Sequence, residues 1–194
     1  VLLQAALREG ARLHAAGRRL TVAINLSALW LDDLNLPDLL LSAVGRIGLR
    51  PADIMLEVTE TGFTKDLATA LDVLSRLRLK GFGLSIDDFG IGYSNFEQLG
   101  RIPFTEMKLD RSFVNRAVRD AAALAILESS LALAPRLELS PVAEGVETER
   151  ELQLMRTLGC DAVQGYLIAR PMPTEQLLRW LEETRQDIVC LQEL

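Results

Sequence analysis

The 194 residues are 49% hydrophobic and 25% charged, enough apolar material for one sizeable core and the wrong composition for a disordered chain. Acids (27) outnumber bases (21) for a net charge of −6, which argues against a nucleic-acid groove and points to a metal ion or small molecule as partner. Cys160 and Cys190 make no disulfide framework and fit a reducing, cytoplasmic compartment, while a single histidine, His14, leaves no basis for a histidine-built zinc site or a Ser-His-Asp triad.

The chain opens with helical spacing of Leu2, Leu3, Ala6, Leu7 and Leu13, stopped by Gly17. Residues Thr21 to Asn25 read as a strand ending in a polar residue. Leu36 to Leu49 is helical, with Pro37 suited to a first turn, and Ile54 to Glu57 is a strand ending in an acid. Leu67 to Leu79 is the next amphipathic helix. After it the apolar run Phe82 to Ile86 drives into two adjacent carboxylates, Asp87 and Asp88, and then into a loop with glycines at 90 and 92. Neighbouring side chains of a strand point to opposite faces, so both acids can approach one site only if the strand has ended there.

A shorter helical turn around Phe96 to Gly100 leads to the strand Thr105 to Asp110, which holds Lys108 near its end. Of the 21 basic residues only Lys65, Lys80 and Lys108 are lysines, so one at a strand end is conspicuous. Beyond the alanine-rich stretch Arg116 to Ala134, Pro141 to Gly145 is a strand carrying Glu144. Thr148 to Leu158 is helical, Asp161 to Gly165 is a short strand with Gln164 near its end, and Glu175 to Glu183 is a last helix. No apolar run approaches the ~18 residues of a membrane span and no secretory leader is read, so this segment is expected to be soluble and free of membrane contact, though a parent protein can carry an anchor.

Strand and helix alternating over short connections means an α/β architecture of parallel strands joined by right-handed crossovers. Asn25, Glu57, Asp87, Lys108, Glu144 and Gln164 each stand at or near the C-terminal end of a strand. A TIM-like (β/α)8 barrel gathers all such ends at one mouth, whereas an open doubly wound sheet focuses only a few. The barrel is therefore the expected fold. It needs eight strands and typically ~250 residues, so the first ~two strands, about 50 to 60 residues, are expected to be missing ahead of residue 1, and residues 1–194 form one incomplete domain.

Glu57, Asp87, Asp88 and Glu144 at one mouth require cations or protons, because like charges ~4 Å apart repel by about 4 kcal/mol at an effective dielectric near 20. Oxygen donors alone, with Asn25 adding an amide oxygen, select Mg²⁺ or Mn²⁺, and two adjacent acids point to two ions of the kind used in phosphodiester cleavage. Asp88 as a plain turn residue remains the alternative for an isolated pair. Lys108 as a Schiff-base lysine is disfavoured, since neighbouring acids stabilise its charged form.

In order and spacing, Asn25-Leu26-Ser27, Glu57-Val58-Thr59-Glu60, Asp87-Asp88-Phe89-Gly90 with Gly92-Tyr93-Ser94, Lys108-Leu109-Asp110, Ala143-Glu144-Gly145-Val146-Glu147 and Gln164-Gly165-Tyr166 resemble the motifs of the EAL-domain phosphodiesterases. The resemblance implies metal-dependent hydrolysis of cyclic di-GMP, a bacterial second messenger, to linear pGpG by a two-metal, water-nucleophile mechanism. It implies that Asn25, Glu57 and Asp87 hold one ion and that Asp87, Asp88 and Glu144 hold the other. Lys108 would contact the attacking water or a phosphate oxygen, Glu60 would anchor the loop after Asp88, and Asp110, Glu147, Gln164 and Gly165 would support the site or touch substrate. It also implies a homodimer and upstream sensor or GGDEF domains. Three departures stand out: the family's naming glutamate, a further metal ligand, falls before Val1 together with a substrate-contacting arginine, Ile91 replaces a usual threonine, and Asn95 a usual serine; residues 1–194 by themselves are therefore expected to bind ions weakly and to hydrolyse little or nothing. A catalytically inactive cyclic di-GMP receptor or interaction module is the alternative, since a fold does not guarantee activity. The ligand set from Asn25 to Glu144 favours the enzyme.

Overall fold

The computed structural model describes residues 2–59, 66–90 and 100–184. Six strands form one sheet in chain order: β1 (Val22–Asn25), β2 (Ile54–Thr59), β3 (Gly83–Phe89), β4 (Glu106–Leu109), β5 (Ser140–Ala143) and β6 (Ala162–Val163). Every neighbouring pair is parallel. The described helices are α1 (Leu2–Ala15), α2 (Leu36–Arg46), α3 (Leu67–Leu79), α4 (Arg111–Ala117), α5 (Ala121–Leu133), α6 (Glu149–Thr157) and α7 (Thr174–Glu183). Although β1 and β6 are the two ends of the sheet, the first and last helices meet. Arg12 Nη2 donates to Glu175 Oε1 at 2.9 Å, and the Thr174 hydroxyl donates to Glu9 Oε2 at 2.6 Å. The sheet is therefore curled, and the architecture is a partial (β/α) barrel of the expected class.

The register divides the strands into two chemically opposite faces. Ile54, Leu56 and Val58 on β2, Leu84 and Ile86 on β3, and Met107 and Leu109 on β4 all enter a single buried cluster with helix residues such as Val44, Leu74, Leu77, Val114 and Leu127. This is the outer face, sealed by the helices. The alternate residues share the inner face: Asn25 pairs with Glu57, Glu57 with Ser85, Ser85 with Glu106, and Thr59 with Asp87. Two positions along β4 from Glu106 puts Lys108 on that same inner face, since strand side chains alternate.

Local signals set the boundaries. Asp66 caps α3 by accepting from Ala68 N and Thr69 N, and Thr148 with Glu151 forms a capping box at the start of α6. The alanine-rich stretch Arg116 to Ala134 holds the end of α4 and all of α5, because Asp120 accepts from Ala122 N at 2.9 Å and starts α5 afresh. Helix α2 ends at Arg46, short of Leu49, and β6 is only two residues long. The largest departure is at β3, which was expected to end at Asp87 and instead runs to Phe89 with an irregular register between Ile86 and Phe89. The expected turn at 96–100 falls largely outside the described residues, as do Glu60, Ile91 and Asn95.

The two faces make a direct test. Leu84, fully buried on the outer face, should lose about 2–5 kcal/mol as Leu84→Ala, lowering Tm by roughly 5–15 °C. Its neighbour Ser85 is equally buried, but its Oγ has no hydrogen-bond partner among the described residues, so Ser85→Ala should leave Tm unchanged or raise it. Thermal unfolding of the two variants checks the assignment of faces.

Candidate metal centre

Lys108 is the fixed point of the inner face. It is 1% exposed, and its ammonium lies 2.6 Å from Glu144 Oε1, 3.0 Å from Glu57 Oε1 and 3.5 Å from Asp87 Oδ1. Strands β2, β3 and β4 and the end of β5 thus each contribute one member. Burial by itself pulls the lysine pKa down, but the charges of Glu57, Glu144 and Asp87 outweigh it and hold the group above its ordinary value. Lys108 is consequently a cation at neutral pH, unsuited to act as a free-amine nucleophile.

The acids respond in the opposite sense. Burial pushes Glu144 up to about 7, against the pull of Lys108 and helped by Asp87 and Glu57. Glu57 is raised by burial as well, with Lys108 opposing. Asp88 is raised by burial and then by the charges of Asp87 and Asp110. One ammonium does not neutralise this set.

Asp88 reaches the site through its backbone. Its φ of +56° is left-handed, a conformation that costs a non-glycine residue of order 1 kcal/mol, and it coincides with the register irregularity of β3. Inside a regular strand Asp88 would face the helices. The kink turns it inward instead, so that Asp87, Asp88 and Glu144 offer ligand oxygens all within 4.8 Å of one another. A divalent cation fits here on two observations of the molecule. The three oxygens converge, and Glu57 Oε1, buried and ion-paired with Lys108 at 3.0 Å, has no well-aligned hydrogen-bond donor among the described residues. An all-oxygen set of this kind suits Mg²⁺ or Mn²⁺.

The remaining expected site residues are distributed more loosely. Asn25 is placed beside Glu57 by register and is exposed at the strand end. Asp110 is buried and caps α4 by accepting from Ser112 N at 2.8 Å. Glu147 has an exposed side chain, and its N–H is bound by Glu151. Gln164 keeps Oε1 buried without a hydrogen-bond partner among the described residues, and its carbonyl accepts from Val146 N at 2.9 Å. At Gly165 any Cβ would overlap the Val146 backbone, so only glycine lets the two loops cross this closely. Glu60 lies outside the described residues. Sequence reasoning passed over Glu106, inward-facing and buried beneath Lys108, and Glu151, buried behind Glu144. The Thr148-x-x-Glu151 spacing of a capping box was the available signal for Glu151.

A six-stranded parallel partial barrel whose strand ends converge on carboxylates and a buried lysine defines a TIM-like fold with a candidate metal centre at its C-terminal mouth. The chain belongs to the EAL domain family, which it matches over residues 1–171. It is 45% identical over 157 residues to the bifunctional diguanylate cyclase/cyclic di-GMP phosphodiesterase MucR of Pseudomonas aeruginosa, covering 81% of this chain and 23% of that protein. A solved MucR phosphodiesterase complex with c-di-GMP superposes with TM-score 0.84 at 41% identity, over 90% of this chain and 71% of that one. The EAL domain of Mycobacterium smegmatis DcpA gives TM-score 0.89 at 33% identity, over 95% and 83%. A manganese and cyclic di-GMP complex of Klebsiella pneumoniae BlrP1 gives 0.80 at 32%, over 87% and 43%. The chain spans about a quarter of MucR, so the activity of such longer proteins is not transferred whole.

The raised acids predict an unusual pH response. Folded Glu144 binds its proton more tightly than the unfolded chain does, so stability is lost as pH rises from about 4.5 through about 7. Glu57 and Asp88 act in the same direction, and the raised Lys108 contributes constantly until pH exceeds its unfolded value of 10.5. In chelator, Tm should therefore fall by several degrees between pH 5 and pH 8, and saturating Mn²⁺ should raise Tm more at pH 8 than at pH 5. Thermal-shift measurements across that range check it.

Proposed function

We propose that this chain carries the catalytic face of a metal-dependent phosphodiesterase that hydrolyses cyclic di-GMP to linear pGpG. The observation that carries the reading is the convergence of Asp87, Asp88 and Glu144 around a buried, charged Lys108. Membership of the EAL family supports it, as do the substrate in the name of MucR and the ligands in the BlrP1 complex.

In this reading Asn25, Glu57 and Asp87 hold one Mg²⁺ or Mn²⁺, and Asp87, Asp88 and Glu144 hold a second. Such ions, when bound, acidify water and neutralise charge on a phosphate. The protein's own residues do the rest. Lys108, a cation pinned between three carboxylates, supplies a fixed positive charge facing the place where negative charge grows on the phosphoryl oxygens. Glu144 faces the same space, and its ion pair with Lys108 keeps its carboxylate aimed at the site. Gln164 and Gly165 border the mouth, where the close crossing with Val146 leaves backbone rather than side chain to face a ligand.

In a protein that also carries the two preceding strands and the family's naming glutamate, chelation should abolish turnover of cyclic di-GMP, and readdition of Mg²⁺ or Mn²⁺ should restore it. Asp87→Ala and Glu144→Ala should each remove turnover while Tm changes little, because these acids face the mouth and not the apolar cluster. Binding of cyclic di-GMP with no hydrolysis at any metal concentration would establish the receptor alternative.

Lys108 separates chemistry from binding. Lys108→Ala should lower kcat by about 10²–10³-fold while KM moves only a few-fold, since its charge is used in the transition state. Steady-state kinetics checks this, and borohydride trapping of substrate on Lys108 would contradict it.

A further inference from the structure

The turn that carries Glu144 is held from outside the metal centre. Glu144 N donates to Leu109 O at 3.0 Å, and the next residue, Gly145, has φ +64°. A side chain at Gly145 would overlap Cβ of Arg111, so the turn lies directly against the first residue of α4. One turn further along that helix, Asn115 Nδ2 donates to Gly145 O at 3.0 Å and to Glu151 Oε1 at 2.9 Å. A side-chain amide has two hydrogens, and both are used. Glu151 is buried, and its second oxygen accepts from Glu147 N at 2.8 Å and Thr148 N at 2.9 Å. Burial alone would raise the Glu151 pKa, yet these donors hold it below its ordinary value, so the carboxylate stays charged and keeps all its bonds.

We propose that Asn115, anchored by Glu151, is a positioning residue for Glu144. Helix α4 follows directly from β4 through the Asp110 cap, so Asn115 belongs to the same βα unit as Lys108. Its bond to the Gly145 carbonyl ties that unit to the turn bearing Glu144, fixing the 2.6 Å pair from behind. Without it the Gly145 peptide can rotate, and a carboxylate next to a freed left-handed glycine swings away from Asp87 and Asp88. The metal is the second beneficiary, since outer partners of metal ligands typically govern affinity by 10–100-fold.

This inference rests on the metal-centre reading, and the test reads the ion directly. Mn²⁺ titration by electron paramagnetic resonance, with Tm recorded alongside, compares the wild type with Asn115→Ala, Asn115→Asp and Thr148→Ala. Asn115→Asp keeps the shape but has at most one hydrogen, which the neighbouring Glu151 carboxylate takes, so the bond to Gly145 O is lost. Thr148→Ala weakens the α6 cap, where Oγ1 accepts from Glu151 N at 3.3 Å, and leaves the Asn115 to Gly145 bond in place. Both Asn115 variants should lose about 10–100-fold in Mn²⁺ affinity, and Thr148→Ala less than threefold at a comparable fall in Tm. Wild-type Mn²⁺ affinity in both Asn115 variants would overturn the positioning role alone. A loss in Thr148→Ala as large as theirs would also overturn it, as mere loss of stability. A wild type that binds no Mn²⁺ would overturn the metal-centre reading together with this one.

Discussion

An ammonium buried among carboxylates on the inside of a barrel is the constraint from which the rest of this structure follows. Burying a charge is costly unless it is paired, and Lys108 is paired three times, with Glu57, Asp87 and Glu144. Those partners come from β2, β3 and the end of β5, so Lys108 couples the curvature of the sheet to the assembly of the site. The pairing is unequal. More acid than base has been gathered, and burial raises Glu57, Asp88 and Glu144, so the folded chain strains against their ionisation. Stability is given up to gather these acids at one mouth, as functional sites generally require.

The β3 kink is the device that concentrates the acids. A regular strand shows one carboxylate of an adjacent pair to the inside and sends the other toward the helices, where the outer face is a continuous apolar cluster. Asp88 in that cluster would be an unpaired buried charge. Left-handed backbone at Asp88 costs about a kilocalorie and avoids a penalty several times larger. It also delivers the third oxygen of the Asp87, Asp88 and Glu144 group.

Glu144 is supported differently, by hydrogen bonds to the backbone of its own turn. Gly145 accepts from Asn115, Val146 donates to Gln164, and Glu151 gathers the N–H groups of Glu147 and Thr148. The turn is consequently fixed by three neighbouring segments while the Glu144 side chain itself pairs with Lys108. A rigid frame behind a side chain that faces Asp87 and Asp88 suits a candidate ligand residue.

Much of this was legible in the chain. Short apolar runs ending in polar residues at 54–57, 82–87 and 105–110 announce strands, helical spacing at 67–79 announces a helix, and polar residues at matching strand ends announce the mouth, because buried elements leave an apolar trace in the chain. That Glu57, Asp87, Lys108 and Glu144 stand together at one mouth was likewise readable, since each follows an apolar run at or near a strand end. Tertiary structure alone decided how Asp88 turns inward, because the left-handed conformation arises where β3 loses register with β4, a relation between segments with no trace in local sequence. It alone decided that Asn115 stands behind Gly145, thirty positions away in the chain, since a helix residue's partner across a crossover is set by packing and not by its neighbours in sequence.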